Sequence, residues 1–89
     1  MYILLVYDIG EKRVNKALKI CRQYMDWVQN SVFEGELTKA SLESLKKRLG
    51  RMMNKEEDSV RIYKLRSEDH LTIEILGIDK KQVANDGVI

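Results

Sequence analysis

A ferredoxin-like α+β sandwich, one antiparallel sheet with both helices on one of its faces, is the fold class this sequence predicts. Three observations carry it. The local signals run strand, helix, strand, helix, strand, strand along the chain, an order that suits helices segregated to one side of an antiparallel sheet. The apolar residues fall at helical spacing in two segments and alternate in the late ones. At 89 residues, 44% apolar, 34% charged and without proline, the chain is one compact soluble domain rather than a disordered one.

Residues 2 to 7 open the chain as a strand, and the five consecutive apolar residues Ile3 to Tyr7 predict burial on both faces. From Glu11 to Met25 an amphipathic helix follows. Val14, Ala17, Leu18, Cys21 and Met25 share one face, and Lys12, Lys16 and Lys19 lie opposite. That basic stripe reads as a solvated face or as a phosphate contact. "WVQNSVFEGEL", residues 27 to 37, is rich in valine and aromatics, which predicts either a long strand bent near Gly35 or two short strands. Thr38 can cap a second helix whose apolar stripe is Leu42, Leu45, Leu49 and Met52. Lys46, Lys47, Arg48 and Arg51 make its end basic, as the helix dipole favours.

"SVRIYKL" and "LTIEIL" alternate and predict the last two strands, with Leu71, Ile73 and Ile75 on one face and Thr72 and Glu74 on the other. The final strand is extra to a four-stranded plan. Pairing it with a partner subunit's sheet would cover an open edge and add burial to a small domain, which predicts a homodimer. Residues 1–77 form the single domain. Residues 78–89 form a C-terminal tail, with Asp79 to Asn85 mobile unless a dimer or complex holds it.

Composition excludes several functions. The apolar run Ile3 to Tyr7 is too short for a signal-peptide core or a membrane span, which predicts a cytoplasmic protein with no membrane partner. Cys21 is the sole cysteine, so no internal disulfide or cysteine-based zinc site can form, and on its helix it reads as core. The five glycines are isolated and form no phosphate loop, Ser31 has no evident base beside it, and the single histidine, His70, suits a surface position. The net charge is only +2, yet residues 1 to 51 hold ten Lys and Arg against six acids, a bias toward phosphate. Any enzyme chemistry therefore falls to a metal.

Asp8 ends the first strand and has two readings. Three residues before Glu11, it can cap the first helix while Glu11 reaches back to it, the reading that spacing alone favours. It can also ligate magnesium, which needs only one or two carboxylates beside waters and a substrate phosphate. One such residue per chain is a poor site, but two copies across a dimer axis could share a metal.

"VYDI" closing the first strand, "KR" at 12 and 13, "VQNSVFEGEL" at 28 to 37 and "DSVRIY" at 58 to 63 resemble, in this order, the second CRISPR-associated protein family. The likeness covers Met1 to Leu76. It implies a small ferredoxin-like homodimer that acts in spacer acquisition beside the CRISPR integrase subunit on a DNA duplex. It also implies a metal-dependent endonuclease, with Mg2+ or Mn2+, on single-stranded RNA or double-stranded DNA. Asp8 matches the family's metal-binding aspartate, and Tyr7, Arg13, Ser31 and Phe33 match positions of its active-site cleft. The chain departs from the pattern at Trp27, where the family commonly has a basic residue; a tryptophan there packs or stacks on a base, packing being favoured.

The leading expectation is thus a phosphodiesterase with paired Asp8 residues on the metal and Lys12, Arg13, Lys16 and Lys19 on nucleic acid. The alternative is a non-catalytic DNA-binding scaffold for the integrase, with Asp8 a cap or interface residue. A ribonuclease toxin of similar fold is a third reading.

Overall fold

The computed structural model describes residues 1–67 and 70–79, together with the backbone but not the side chains of Ser67 and His70. The mobility expected of the tail beyond Asp79, and the surface role expected of the His70 side chain, lie outside that description. The elements are β1 (Tyr2–Asp8), α1 (Val14–Arg22), β2 (Asp26–Gln29), β3 (Val32–Glu36), α2 (Lys39–Met52), β4 (Ser59–Ser67) and β5 (His70–Gly77). The strands form one sheet in the order β2-β3-β1-β4-β5 with every neighbouring pair antiparallel. Both helices cover one face. The predicted α+β sandwich is the observed one.

The core lies between that face and the helices. Ile3, Leu5 and Tyr7 of β1, Phe33 of β3 and Val60 and Ile62 of β4 meet Ala17, Ile20 and Cys21 of α1 and Leu42, Leu45 and Leu49 of α2. Cys21 is buried as expected, and burial pushes its thiol up to about 12. Removing a leucine such as Leu45 from a core this small would cost about 2–5 kcal/mol. Thr38 caps α2 as expected: its Oγ1 accepts the Ser41 amide at 3.0 Å.

Three local expectations are corrected. β1 is covered on one face only: Ile3, Leu5 and Tyr7 point to the helices, whereas Tyr2, Leu4 and Val6 point to the opposite, helix-free face. Among the described residues, the unbroken apolar run reflects a second apolar surface rather than a second layer. Helix α1 starts at Val14 rather than Glu11, because residues 10–13 form a turn in which the Gly10 carbonyl accepts the Arg13 and Val14 amides. Of the two forms expected for residues 27–37 the two short strands are the observed one, and the break falls at Asn30 in place of a bend near Gly35. Asn30 adopts φ +42, the left-handed region that asparagine tolerates, and a bulge lies between Trp27 and Gln29.

The extra strand β5 pairs with β4 inside the chain, Leu65 opposite Leu71 and Tyr63 opposite Ile73, and among the described residues no strand pairs with its outer edge. Leu71, Ile73 and Ile75 share a face as the alternation predicts. That face is the helix-free one, while Glu74 on the other side ion-pairs with Lys46 of α2 at 2.7 Å and Lys64 at 2.8 Å. No helix among the described residues is long and apolar enough to cross a membrane.

Candidate functional site

Alternation along β1 fixes where Asp8 goes. Tyr7 faces the helices, so Asp8 faces the open side, exposed at the strand's end and opposite Ser59 of β4. Ile9 then turns back into the core. Asp8 does not cap α1. The N-cap is Arg13, which makes no side-chain cap bond, and the first turn holds no acid. The carboxylate is thus at the rim of the sheet, turned away from the helix it was expected to cap.

What holds this strand end is a buried carboxylate 50 positions further on, Asp58. Asp58 is wholly inaccessible and lies just before β4. It accepts the Gly10 amide at 2.8 Å, the Asn54 amide at 2.8 Å, and Arg13 through Nε at 2.6 Å and Nη2 at 2.9 Å. Arg13 Nη2 also donates to Glu57 at 3.0 Å. A buried carboxylate is costly unless its lone pairs are filled; here four donors fill them. The Arg13 guanidinium, aided by the two amides, holds the Asp58 carboxyl well below the usual range, and Asp58 in turn pushes Arg13 up. Gly77, at φ +81, closes the other side of this node, since a β-carbon there would collide with the Asp58 carbonyl oxygen. The amide of Ile78 donates to that oxygen at 3.2 Å.

Asp8 borders an apolar surface. On the helix-free face Tyr2, Leu65, Leu71 and Ile73 are 40%, 41%, 59% and 45% exposed, a large fraction for residues of their size. A shallow depression of about 290 Å³ lies among Tyr2, Leu4, Glu34, Tyr63, Leu65 and Leu71. Asp8 is four residues along β1 from Leu4, roughly 13 Å at strand rise. An acid at the end of β1, on a sheet face that no helix covers among the described residues, is the site's defining geometry.

The other expected site residues divide. Tyr7 and Phe33 are core residues, their rings stacked with centroids 6.0 Å apart, and the sheet separates them from the Asp8 carboxylate. Both pack on the helix side of the sheet, as the alternation along β1 and β3 places them. Burial raises the Tyr7 hydroxyl above its ordinary value. Ser31 reaches the site by its backbone, its carbonyl accepting the Tyr7 amide at 3.0 Å across the β2–β3 turn. Arg13, expected on nucleic acid, is committed to Asp58 and Glu57. Lys12, Lys16 and Lys19 are exposed, with no ion pair among the described residues.

The family model for "CRISPR associated protein Cas2" matches residues 1–73. The chain belongs to the Cas2 family. The CRISPR-associated endoribonuclease Cas2 of Thermotoga maritima is 48% identical over 89 residues, covering 100% of this chain and 99% of the relative. That of Pyrococcus furiosus is 51% identical over 83 residues, covering 93% of this chain and 95% of its own. Among solved structures, a crystal structure of Cas2 aligns with TM-score 0.73 at 45% identity over 90% of each chain. The Streptococcus pyogenes Cas2 structure at pH 6.5 aligns with TM-score 0.68 at 37% identity, over 73% of this chain and 86% of its own.

Within this Cas2-family chain, Trp27 is not packed as expected. It is 51% exposed on the edge strand β2, where its Nε1 donates to the Asn30 carbonyl at 2.8 Å and the Arg22 guanidinium lies 5.7 Å from its ring centre. It ties down the turn at Asn30. Asp58 is the residue that sequence reading passed over. The sequence shows it only as an acid opening an alternating strand, four residues after an asparagine; nothing local names Arg13, 45 positions away, as its partner.

A metal-binding reading must fit these residues. Among the described residues no three His, Cys, Asp or Glu side chains cluster to hold an ion. Asp8 brings to this rim a carboxylate of the right hardness for magnesium or manganese, which commonly take one or two carboxylates beside waters and a substrate phosphate. The residues fit a divalent ion as one half of a site that a second copy would complete.

Proposed function

We propose that this Cas2-family chain is a cytoplasmic homodimer that binds nucleic acid for CRISPR adaptation, beside the integrase subunit, and hydrolyses phosphodiesters at a divalent metal held by Asp8 of both subunits. The observation that carries it is the place of Asp8, exposed at the end of β1 on the face of the sheet away from both helices, the face that also presents Leu65, Leu71 and Ile73. Because β5 already pairs with β4, the surface left for the partner is that face, with the outer β5 edge beside it. Closing two such faces together buries Leu65, Leu71 and Ile73 and brings two strand ends toward one axis.

When bound there, Mg2+ or Mn2+ supplies Lewis acidity, which activates water and stabilises charge building on the phosphoryl oxygens. The chain's own residues do the rest. Asp8 supplies the negative charge that recruits the ion. The Asp58–Arg13 node fixes the turn that follows Asp8, so the carboxylate is presented by a rigid strand end. Lys12, Lys16 and Lys19 attract the phosphate backbone from α1 and the turn before it. The relatives' name supports RNA as a substrate; duplex DNA is the second substrate to test.

A scaffold reading, in which the dimer grips DNA without cutting it, draws on the finding that among the described residues no three His, Cys, Asp or Glu side chains cluster to hold an ion. One experiment separates the two. Wild type and Asp8→Asn, both confirmed as dimers by light scattering, are given labelled single-stranded RNA and duplex DNA with magnesium, manganese or chelator. Cleavage lost both in the variant and with chelator establishes the nuclease. Cleavage by neither, or equally by both, leaves the scaffold.

A further inference from the structure

Of the large apolar side chains left exposed, Tyr2, Leu65, Leu71 and Ile73 lie on the helix-free face that the proposed dimer uses. Trp27 lies elsewhere. It stands opposite Phe33 in the β2–β3 pair, and directly opposed residues share a face, so its ring is on the helix side of the outermost strand. Helix α1 ends at Arg22 and leaves the ring 51% exposed.

Two contacts from different elements fix this ring. Its Nε1 donates to the Asn30 carbonyl at 2.8 Å, in the turn where Asn30 holds φ +42, and the Arg22 guanidinium lies 5.7 Å from the ring centre. Arg22 has no ion pair among the described residues, so its charge is directed at the ring rather than at an acid. The acids of this edge belong to the other face: Asp26 stands opposite Glu34, and Glu34 opposite Leu4 of the helix-free side. Tying down the turn needs only the indole N–H. With that N–H engaged, the half of the ring left in water offers a ligand its apolar and π surface, which suits a flat partner that stacks.

We infer that Trp27 is a stacking platform for one unpaired base of a single strand, held at the β2 edge by Arg22 and Asn30. This rests on the reading that the chain meets nucleic acid and adds a base contact to it, since Lys12, Lys16 and Lys19 act there on phosphate. A duplex buries the faces of its bases against one another, so a lone ring at a sheet edge takes a base that is already unstacked. Stacking tolerates any base, and the contact is therefore sequence-tolerant. A protein partner fits less well. A tryptophan anchor needs a surround that excludes water, whereas the exposed residues flanking this one, Gln23, Asp26, Gln29 and Asn30, are polar, with Val28 the exception.

Trp27 is the only tryptophan in the chain, so its own fluorescence reports the contact. The full chain, in chelator so that no strand is cut, is titrated with a single-stranded RNA, an abasic strand of equal length and a blunt duplex. Anisotropy of an end label gives the affinities in parallel. The RNA should quench the indole. The abasic strand, with phosphates but no bases, and the duplex should not. Trp27→Leu should bind the single strand about fivefold or more weakly, with duplex affinity unchanged. Trp27→Phe, which keeps an aromatic face and loses the N–H, should restore most of that loss; oligomeric state and thermal unfolding are checked for both. A Phe variant as weak as the Leu variant overturns the platform, because the bond to Asn30 would then be the cause. Equal quenching by the abasic strand or the duplex also overturns it. RNA binding without quenching overturns it too, leaving the ring to a protein partner and the nucleic-acid reading intact, whereas binding of neither RNA nor duplex removes both. Should Trp27→Leu fail to fold, quenching in wild type and affinity in Trp27→Phe still decide.

Discussion

Asp58 sets the geometry around Asp8 without reaching it. Its carboxylate joins the turn after β1 to the turn before β4 through Gly10, Arg13 and Asn54. The consequence for pH has a definite sign. Its folded pKa lies below the unfolded value of about 3.9, so its stabilisation is complete above that value and is lost as pH falls through the folded one. Glu74, lowered by Lys46 and Lys64, acts in the same direction more weakly because it is part-exposed. Stability measured by urea unfolding should therefore be level with respect to these two groups above about pH 5 and decline below about pH 4. Asp58→Asn removes the buried carboxylate that Gly10, Asn54 and Arg13 share and leaves Arg13 only its exposed partner Glu57; it should cost about 3–5 kcal/mol at neutral pH, a difference that narrows on acidification. A variant as stable as wild type at pH 7, or one with the same acid decline, would show that the node is not the anchor described. Asp58 was hard to read in the sequence because its closest donor, Arg13, is 45 positions away. No local pattern reports a pair at that distance.

At the level of elements, what was legible was local. Thr38 and the Leu42, Leu45, Leu49 stripe announce α2, because cap and stripe are both set within a few residues. The start of α1 was misread because a turn fixed by Asp58 displaces it, although Asp8 and Glu11 have cap-box spacing. The β5 alternation was read correctly, but period 2 only separates two faces; it does not say which one the helices cover. Strand β1 held the missing clue, since a run apolar at every position signals an apolar surface on the side away from the helices as well. The exposed face of β5 gives an element-scale prediction. Ile73→Lys, on a residue 45% exposed, should change the stability of the isolated domain by under about 1 kcal/mol and yet convert the dimer to monomer in light scattering. A dimer that persists in the Ile73→Lys, Leu71→Lys double variant would move the interface to the outer edge of β5.

For the whole molecule, dimer and metal are expected to be coupled. A chain of 89 residues buries a limited fraction of its surface, so the proposed second copy over the helix-free face would add stability that depends on protein concentration. If Asp8 from each copy shares one divalent ion, that ion binds the dimer better than either the monomer or the unfolded chain, and it must stabilise folding by RT ln(1 + [L]/Kd). An ion at a hundred times its Kd would contribute about 2.7 kcal/mol per site. Thermal unfolding should then show a Tm that rises with protein concentration and rises further with magnesium or manganese. Asp8→Asn should retain the first dependence and lose the second, because only the second requires the carboxylates. Ile73→Lys should lose both, since without the dimer each chain has one carboxylate and no closed site. A metal-dependent Tm that survives in monomeric Ile73→Lys would mean that a single chain binds the ion, and the shared site would have to be abandoned even if Asp8 proved essential for cleavage.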